Sequence, residues 1–297
     1  MRRYVTVDVF TDQPFCGNPL AVVLDADGLT TAQMQAIATE FNYSETTFVL
    51  PPQNPEHTAE VRIFTPTMEV PFAGHPNVGT ALVLAGEWQA AGRALPSSFV
   101  FEERAGRVPV RLQCEDGRAI GAELTAPQAL QVGATLSAED AAAAVGLSMA
   151  SIVTDTHQPV VASVGLPFLI VEVASREALR QAMGDYAIHD RLLRAVGAEG
   201  VYAYVRAPGR CALDARMFAP LDKVPEDPAT GSATVAAIAL LATLEGGDGE
   251  CQWPVVQGED MGRRSTLSGR TVMEAGQLRS VHVAGGAVEV MRGTIRV

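Results

Sequence analysis

The hydrophobic pattern of the chain is dominated by one apolar run, Val235 to Leu244, that follows a short polar turn. Alanine and leucine occur on every side of this run, which is typical of a helix buried all round rather than an amphipathic surface helix. The N–H groups at the start of such a helix lack intrahelical partners, and with the helix dipole they favour negative charge. The turn Thr230-Gly231-Ser232 therefore predicts a small anion-binding site.

A second stretch of the chain, Ala73 to Ala85, repeats this design. It also passes from a glycine into an apolar run, and aligning Gly74 with Gly231 places His75 opposite Ser232. If the two segments are equivalent, two buried helices begin with a polar side chain beside a glycine.

Two Gly-x-Pro segments, 17–19 and 165–167, support the same alignment. Each precedes an apolar strand, and their separation along the chain is nearly that of the two helix starts. Glycine and proline at such places are also common punctuation. The agreement in order and spacing indicates two copies of one fold.

Alternation of apolar and polar residues predicts strands over much of the remaining chain. They cover 4–10, 20–24, 44–50, 61–64, 168–173, 201–205 and 213–218, with hairpins between 98 and 124 and more strands in the tail around a tight turn at 285–286. Further helices are predicted after a capping box at Thr30, after Ser137, and over 176–183 and 188–196.

This pattern predicts an α+β protein of two pseudo-symmetric domains, each a mostly antiparallel sheet wrapped around its buried helix. We expect an N-terminal domain of residues 1–125, completed by a tail strand at 284–297, and a C-terminal domain of 126–283. The boundary falls in a linker marked by Pro127 and Gly133. Clefts between domains are common ligand sites, so the two helix starts are expected to face one cleft.

Composition limits the classes of partner. The net charge of −12 over 297 residues disfavours nucleic acid and anionic membranes. No apolar run approaches the ~20 residues that span a bilayer, and no signal peptide is visible, so we expect a cytoplasmic protein. The four cysteines form no C-x-x-C pair, and no metal- or nucleotide-binding motif occurs, so neither metal nor cofactor is predicted.

The residue best suited to proton transfer is Glu45, which precedes a buried β-branched strand. Desolvation there disfavours the charged carboxylate, which suits the group to exchanging protons; the alternative is a surface glutamate at a strand start. Asp227, on the approach to the second helix, is a further candidate or a turn or capping aspartate. His75 and Ser232 are candidates through their mirrored positions, or a backbone-bonded histidine and a plain cap.

Four segments carry a resemblance to a known family: DVFTDQPFCGNPLAVV, NYSETTFV, IFTP with PFAGHPNVGTA, and RMFAP with EDPATGSA. In this order they resemble the PhzF-like proteins of phenazine biosynthesis, which belong to the diaminopimelate epimerase superfamily. The resemblance covers nearly the whole chain. It implies two similar domains, each a barrel-like sheet around a central helix, a site between them, and a homodimer.

The resemblance also implies roles for individual residues. Glu45 matches the acid/base carboxylate that moves a proton between two ring carbons of a dihydro-hydroxyanthranilate without a cofactor. The other matching positions bind the substrate or assist the proton transfer: His75, Asp227 and Ser232, with Asn18, Gly74, Thr230 and Gly231 as substrate-binding positions. The expected ligand is a small carboxylated molecule.

Some positions depart from the wider superfamily. Its two-cysteine racemases need a thiol before each helix-start glycine, where this chain has Ala73 and Thr230. The family often has proline where Arg264 stands, so the role of Arg263 stays open, as does that of Cys16.

Three functions remain after this comparison. The leading hypothesis is a cofactor-independent isomerase of the trans-2,3-dihydro-3-hydroxyanthranilate isomerase type. The second is an amino acid racemase or epimerase in which Glu45 works with a partner such as Glu199. The third is a catalytically inactive metabolite-binding protein.

Overall fold

A computed structural model describes residues 1–208, 211–222 and 224–297 of the chain. These residues form two compact units. Unit 1 comprises Met1–Leu124 and Ala284–Val297, and unit 2 comprises Thr125–Val283. The fold is α+β, as the sequence predicts.

Unit 1 consists of strands around one long buried helix, with a second helix on its surface. Its strands are β1 (Arg2–Val9), β2 (Asn18–Val23), β3 (Glu45–Leu50), β4 (Ala59–Phe64), β5 (Glu69–Val70), β6 (Ser98–Glu103), β7 (Gly106–Glu115) and β8 (Arg118–Thr125), and its helices are α1 (Thr31–Phe41) and α2 (Gly74–Ala90). The tail contributes a last strand, which pairs with β1.

Unit 2 contains the same kinds of element. Its strands are β9 (Gln131–Thr135), β10 (Val160–Ser163), β11 (Pro167–Glu172), β12 (Gly200–Arg206), β13 (Leu213–Ala219), β14 (Val224–Asp227), β15 (Gly249–Gln257), β16 (Ser265–Glu274) and β17 (Gln277–Gly285), and its helices are α3 (Ala138–Ala144), α4 (Arg176–Gln181), α5 (Tyr186–Val196) and α6 (Gly231–Glu245). The tail strand of unit 1 is then β18 (Ala287–Ile295).

The strands of the two units pair in the same succession. In unit 1, β1 is antiparallel to β18 and β2, β2 is parallel to β3, and β3 is antiparallel to β4. β4 then pairs antiparallel with β5 and parallel with β6, and β6 is antiparallel to β7. In unit 2, β10 is antiparallel to β9 and β11, β11 is parallel to β12, and β12 is antiparallel to β13. β13 then pairs antiparallel with β14 and parallel with β15, and β15 is antiparallel to β16. We propose that the units are the two copies indicated by the sequence.

The two long helices are buried on nearly all sides. α6 buries every residue from Ala233 to Ala242, and α2 buries nearly all of its first three turns. Each is fixed to its own sheet by a hydroxyl pair, Thr80 with Thr47 at 2.8 Å and Thr234 with Tyr202 at 3.1 Å. Both helices begin at the glycines that the alignment pairs.

Gly79 shows how closely α2 approaches its sheet. A Cβ at this position would lie 2.6 Å from Leu20 Cδ2 and 2.7 Å from Val9 Cγ2. Since both side chains are fully buried, neither has room to move. Only glycine therefore allows α2 to lie at this distance from β1 and β2.

Two predictions for connecting segments are wrong. The expected linker near Gly133 contains strand β9, whose residues are exposed along its whole length and so show no apolar alternation. The expected tight turn at Gly285-Gly286 is absent, since Gly286 alone separates β17 from β18. Gly285 is needed for another reason, because a Cβ there would lie 2.3 Å from the Phe10 ring.

Across residues 1–208, 211–222 and 224–297, no helix is both long enough and apolar enough to span a membrane.

Candidate active site

In unit 1, the predicted residues gather where β2, β3 and α2 begin. Glu45 is the first residue of β3 and lies beside Leu20 of β2. Its Oε2 atom is 3.5 Å from Nδ1 of His75, the second residue of α2. Asn18, the first residue of β2, is fully buried, and its Oδ1 lies 3.5 Å from the hydroxyl of Ser44. One carboxylate and one imidazole thus meet at a helix start.

Burial sets the charge state of His75. It lowers the pKa of the imidazole to about 3, and an interaction with the backbone of Pro19 has a smaller, opposite effect. The ring is therefore neutral near pH 7, and its approach to Glu45 is a contact between a neutral group and a carboxyl rather than an ion pair. The Glu45 side chain stays 19% exposed, against 6% for His75, so the carboxyl is the more accessible of the two.

Both buried helices begin without a side-chain cap. The N-cap of α2 is Ala73, which has no oxygen to offer, and Thr230 makes no cap hydrogen bond to α6. The other α-helices are each capped by the side chain of the residue before them: Thr30, Ser137, Ser175 and Asp185. The first N–H groups of α2 and α6 therefore have no partner within the helix and suit an anionic ligand.

In unit 2, the predicted residues lie on the short loop between β14 and α6. Asp227 ends β14, is buried, and accepts a hydrogen bond from the Thr230 hydroxyl. Ser232 is the second residue of α6 and is half-buried. Ser232 is not the plain cap that was the alternative to a site role, since Thr230 occupies the N-cap position.

Two residues that the sequence did not single out hold this loop. Gln257 at the end of β15 bonds to both Asp227 and Thr230. Arg216, buried in β13, forms a two-pronged ion pair with Glu226, at 2.8 and 2.7 Å. The same guanidinium donates to the carbonyl oxygens of Leu179, Arg180 and Ala182. It therefore links Glu226, the residue before Asp227, to the C-terminal end of α4.

Glu199 does not occupy the position equivalent to Glu45. In unit 1 the register pairs Leu20 with Glu45, and in unit 2 the matching pair is Phe168 with Gly200. Glu199 precedes that position and is exposed. The register therefore gives no support to Glu199 as a second acid/base residue.

Within the described parts of the chain, no cluster of three or more histidine, cysteine, aspartate or glutamate side chains could hold a metal ion.

Comparison with known proteins identifies the family of the chain. The family model described as "Phenazine biosynthesis-like protein" matches residues 7–293. The chain is 40% identical to an uncharacterized isomerase of Mesorhizobium japonicum, over 99% of this chain and 98% of that one. It is 34% identical to the trans-2,3-dihydro-3-hydroxyanthranilate isomerase of Pseudomonas chlororaphis, over 99% of both chains. The Bacillus anthracis phenazine biosynthesis protein of the PhzF family matches with a TM-score of 0.88 at 25% identity, covering 100% of this chain and 99% of that one.

The fold and these relatives define the protein as an isomerase. The chain belongs to the PhzF family of phenazine biosynthesis-like proteins.

Proposed function

We propose that the protein is a cofactor-independent isomerase that moves a proton between two carbons of a small carboxylated substrate, with Glu45 as the general acid/base. The observation that carries this proposal is the position of Glu45. A partly exposed carboxyl lies 3.5 Å from a neutral imidazole, at the start of a buried helix that no side chain caps.

In the proposed reaction, the substrate and the product contain the same atoms. The Glu45 carboxylate takes a proton from one substrate carbon, and the electron pair of the broken C–H bond spreads into the conjugated system. The protonated Glu45 then gives the proton to a different carbon on the same face, which restores the carboxylate. A single base that reaches both carbons meets the need for close orientation in such a transfer.

The other candidate residues would stabilise charge during this transfer. A helix start without a side-chain cap suits the substrate carboxylate, because N–H groups held in place do not have to reorganise as charge develops. Neutral His75 can donate a hydrogen bond without introducing a positive charge. We assign Asp227 and Ser232 as polar partners of the substrate, and Asn18, Gly74, Thr230 and Gly231 as residues that shape the binding surface.

The substrate class rests on the family relatives. Three related Pseudomonas proteins, 33–35% identical, are trans-2,3-dihydro-3-hydroxyanthranilate isomerases. We infer the same substrate or a similar carboxylated diene for this chain.

Incubation with trans-2,3-dihydro-3-hydroxyanthranilate in D2O, followed by NMR, tests the reaction type. We expect an isomer in which a C–H bond has moved to another carbon. Recovery of substrate deuterated at its original carbon with inverted configuration would instead show an epimerase. Tight binding without any turnover would show a metabolite-binding protein, and either result would refute the proposal.

A further inference from the structure

Gln257 has a set of hydrogen bonds directed wholly at the loop that carries Asp227. It is the last residue of β15 and is fully buried. Its Nε2 donates to the Asp227 carbonyl at 2.8 Å and to the Thr230 hydroxyl oxygen at 3.0 Å, and its Oε1 accepts from the Thr230 N–H at 3.2 Å. We call these three bonds the Gln257 clamp.

The donors and acceptors of the clamp fix the direction of every bond. A carbonyl oxygen can only accept and a backbone N–H can only donate, so the Gln257 amide has one possible orientation. Its second N–H then approaches Thr230 Oγ1, and the hydroxyl proton of Thr230 points to Asp227 Oδ2. The clamp therefore reaches the Asp227 carboxylate through the Thr230 hydroxyl.

This arrangement also explains why α6 has no side-chain cap. A threonine at the N-cap normally turns its hydroxyl to the free N–H groups of the first turn, as Thr30 does for α1. The Thr230 hydroxyl is already engaged with Asp227 and Gln257, so those N–H groups of α6 are left for another acceptor.

The backbone beyond Gln257 is built for the same contact. Gly258 has φ of +73°, and a Cβ there would lie 2.6 Å from the Pro228 carbonyl oxygen and 2.5 Å from that of Arg263. The chain therefore packs against the middle of the 227–230 loop at a distance that only glycine permits. Close packing holds the loop from this side, and the clamp holds its two ends.

We propose that Gln257 is a positioning residue for the isomerase reaction: it aligns the Asp227 carboxylate and keeps the first N–H groups of α6 available to the substrate. This inference rests on the proposed function. Gln257 itself does not contact the reacting atoms in this scheme and acts through Thr230.

The experiment compares Gln257→Met, which keeps the length of the side chain but removes the amide, with Gln252→Met on the exposed face of the same strand. Thr230→Val removes the hydroxyl at constant shape, and Thr230→Ser retains it. Each variant is measured for kcat and KM with trans-2,3-dihydro-3-hydroxyanthranilate. Binding of 3-hydroxyanthranilate, the aromatic analogue, is measured by calorimetry, and amide hydrogen exchange is followed in the 227–232 segment.

For Gln257→Met, we expect the Thr230 amide to exchange at least ~10-fold faster and kcat to fall by about 100-fold, because small displacements of a reacting group cost about this much. Thr230→Val should lower kcat similarly, and the double variant should be no worse than either single one, since both break the same link. Gln252→Met should behave like wild type, and Thr230→Ser, which keeps the hydroxyl, should lose less kcat than Thr230→Val.

Unchanged exchange in Gln257→Met would overturn the clamp, whatever the activity of the protein. Faster exchange with unchanged kcat and unchanged analogue binding would overturn its functional role. If the proposed function is wrong, wild type itself will not turn the substrate over. The amide-exchange and analogue-binding measurements would still test the Gln257 clamp in that case.

Discussion

At the scale of single residues, burial decides which groups carry charge. Glu45 and His75 lie 3.5 Å apart, but only the imidazole is fully enclosed. A neutral imidazole beside a carboxyl can support a proton transfer without trapping the proton in an ion pair. The sequence pairs these residues through family resemblance, whereas the neutrality of His75 follows from its burial at the start of α2.

Because His75 is buried in its neutral form, the free energy of unfolding should depend on pH. The pKa of His75 is about 3 in the folded protein, against an ordinary value of 6.5, so between these values the unfolded chain binds more protons. Stability should therefore rise with pH across this window by at most about 1.4 kcal/mol per unit. Urea unfolding at pH 4 to 7 should show a weaker rise in His75→Gln, and an identical slope in both proteins would contradict the burial of a neutral ring.

Glu103 should have the opposite effect. Burial raises its pKa to about 8. Between 4.5 and 8 the folded state binds more protons, so stability should fall as pH rises through this window.

Replacing Glu103 with glutamine removes the group that must ionise in the interior. We expect Glu103→Gln to be more stable than wild type at pH 9 by about 1–3 kcal/mol, and closer to it at pH 5. Glu115→Gln, an exposed change at the end of β7, serves as the control and should leave the pH profile unaltered. A Glu103→Gln protein with the wild-type profile between pH 5 and 9 would show that Glu103 stays ionised.

At the scale of elements, the two buried helices are distinguished by their starts. Surface helices of this chain are capped by serine, threonine or aspartate, as local stability favours. Neither Ala73 at α2 nor Thr230 at α6 makes a side-chain cap hydrogen bond, so both helices lack this stabilisation. Such a loss at two equivalent places is typical of sites where function competes with stability.

Adding a cap to α2 should reveal this competition. Ala73 already has the extended backbone of an N-cap, with φ of −152° and ψ of 144°. Ala73→Ser should raise stability by about 1 kcal/mol and also raise KM, because the new hydroxyl competes with the substrate carboxylate. Ser137→Ala on α3 should lose about 1 kcal/mol with unchanged kinetics. A stabilised Ala73→Ser protein with unchanged KM would argue against an anion at this helix start.

The contact of α2 with its sheet can be tested with two glycines of the same helix. Gly79→Ala should destabilise the protein by about 1–3 kcal/mol, because its Cβ meets Leu20 and Val9 in a filled core. Gly86→Ala has open space around it and should stabilise by about 0.5–1 kcal/mol through helix propensity. Thermal unfolding compares the two, and equal effects would mean that α2 lies farther from the sheet.

At the scale of the whole molecule, local patterns predict those elements that depend on nearby residues. The capping box at Thr30 has the predicted geometry, and the structure ends α1 at a left-handed Asn42. The starts of α2 and α6 also match the alignment of Gly74 with Gly231. Strand β9 was not predicted because its residues are all exposed and show no alternation of apolar and polar positions.

The supports of the candidate site could not be predicted because they join distant parts of the chain. The bond from Gln257 to Asp227 spans 30 positions, and the Arg216 guanidinium reaches carbonyl groups more than 30 positions away. Nothing in the local sequence marks either residue as a partner of the loop before α6. The cytoplasmic location and homodimer expected from the sequence stay predictions.

The most direct test of the central claim compares kcat/KM for Glu45→Gln and Glu40→Gln with wild type. Glu40 is an exposed glutamate on α1 and controls for the loss of a carboxylate from unit 1. If Glu45 carries the proton, its replacement should lower kcat/KM at least about a hundredfold while Glu40→Gln stays near wild type. A Glu45→Gln enzyme that turns the substrate over at the wild-type rate would contradict the account.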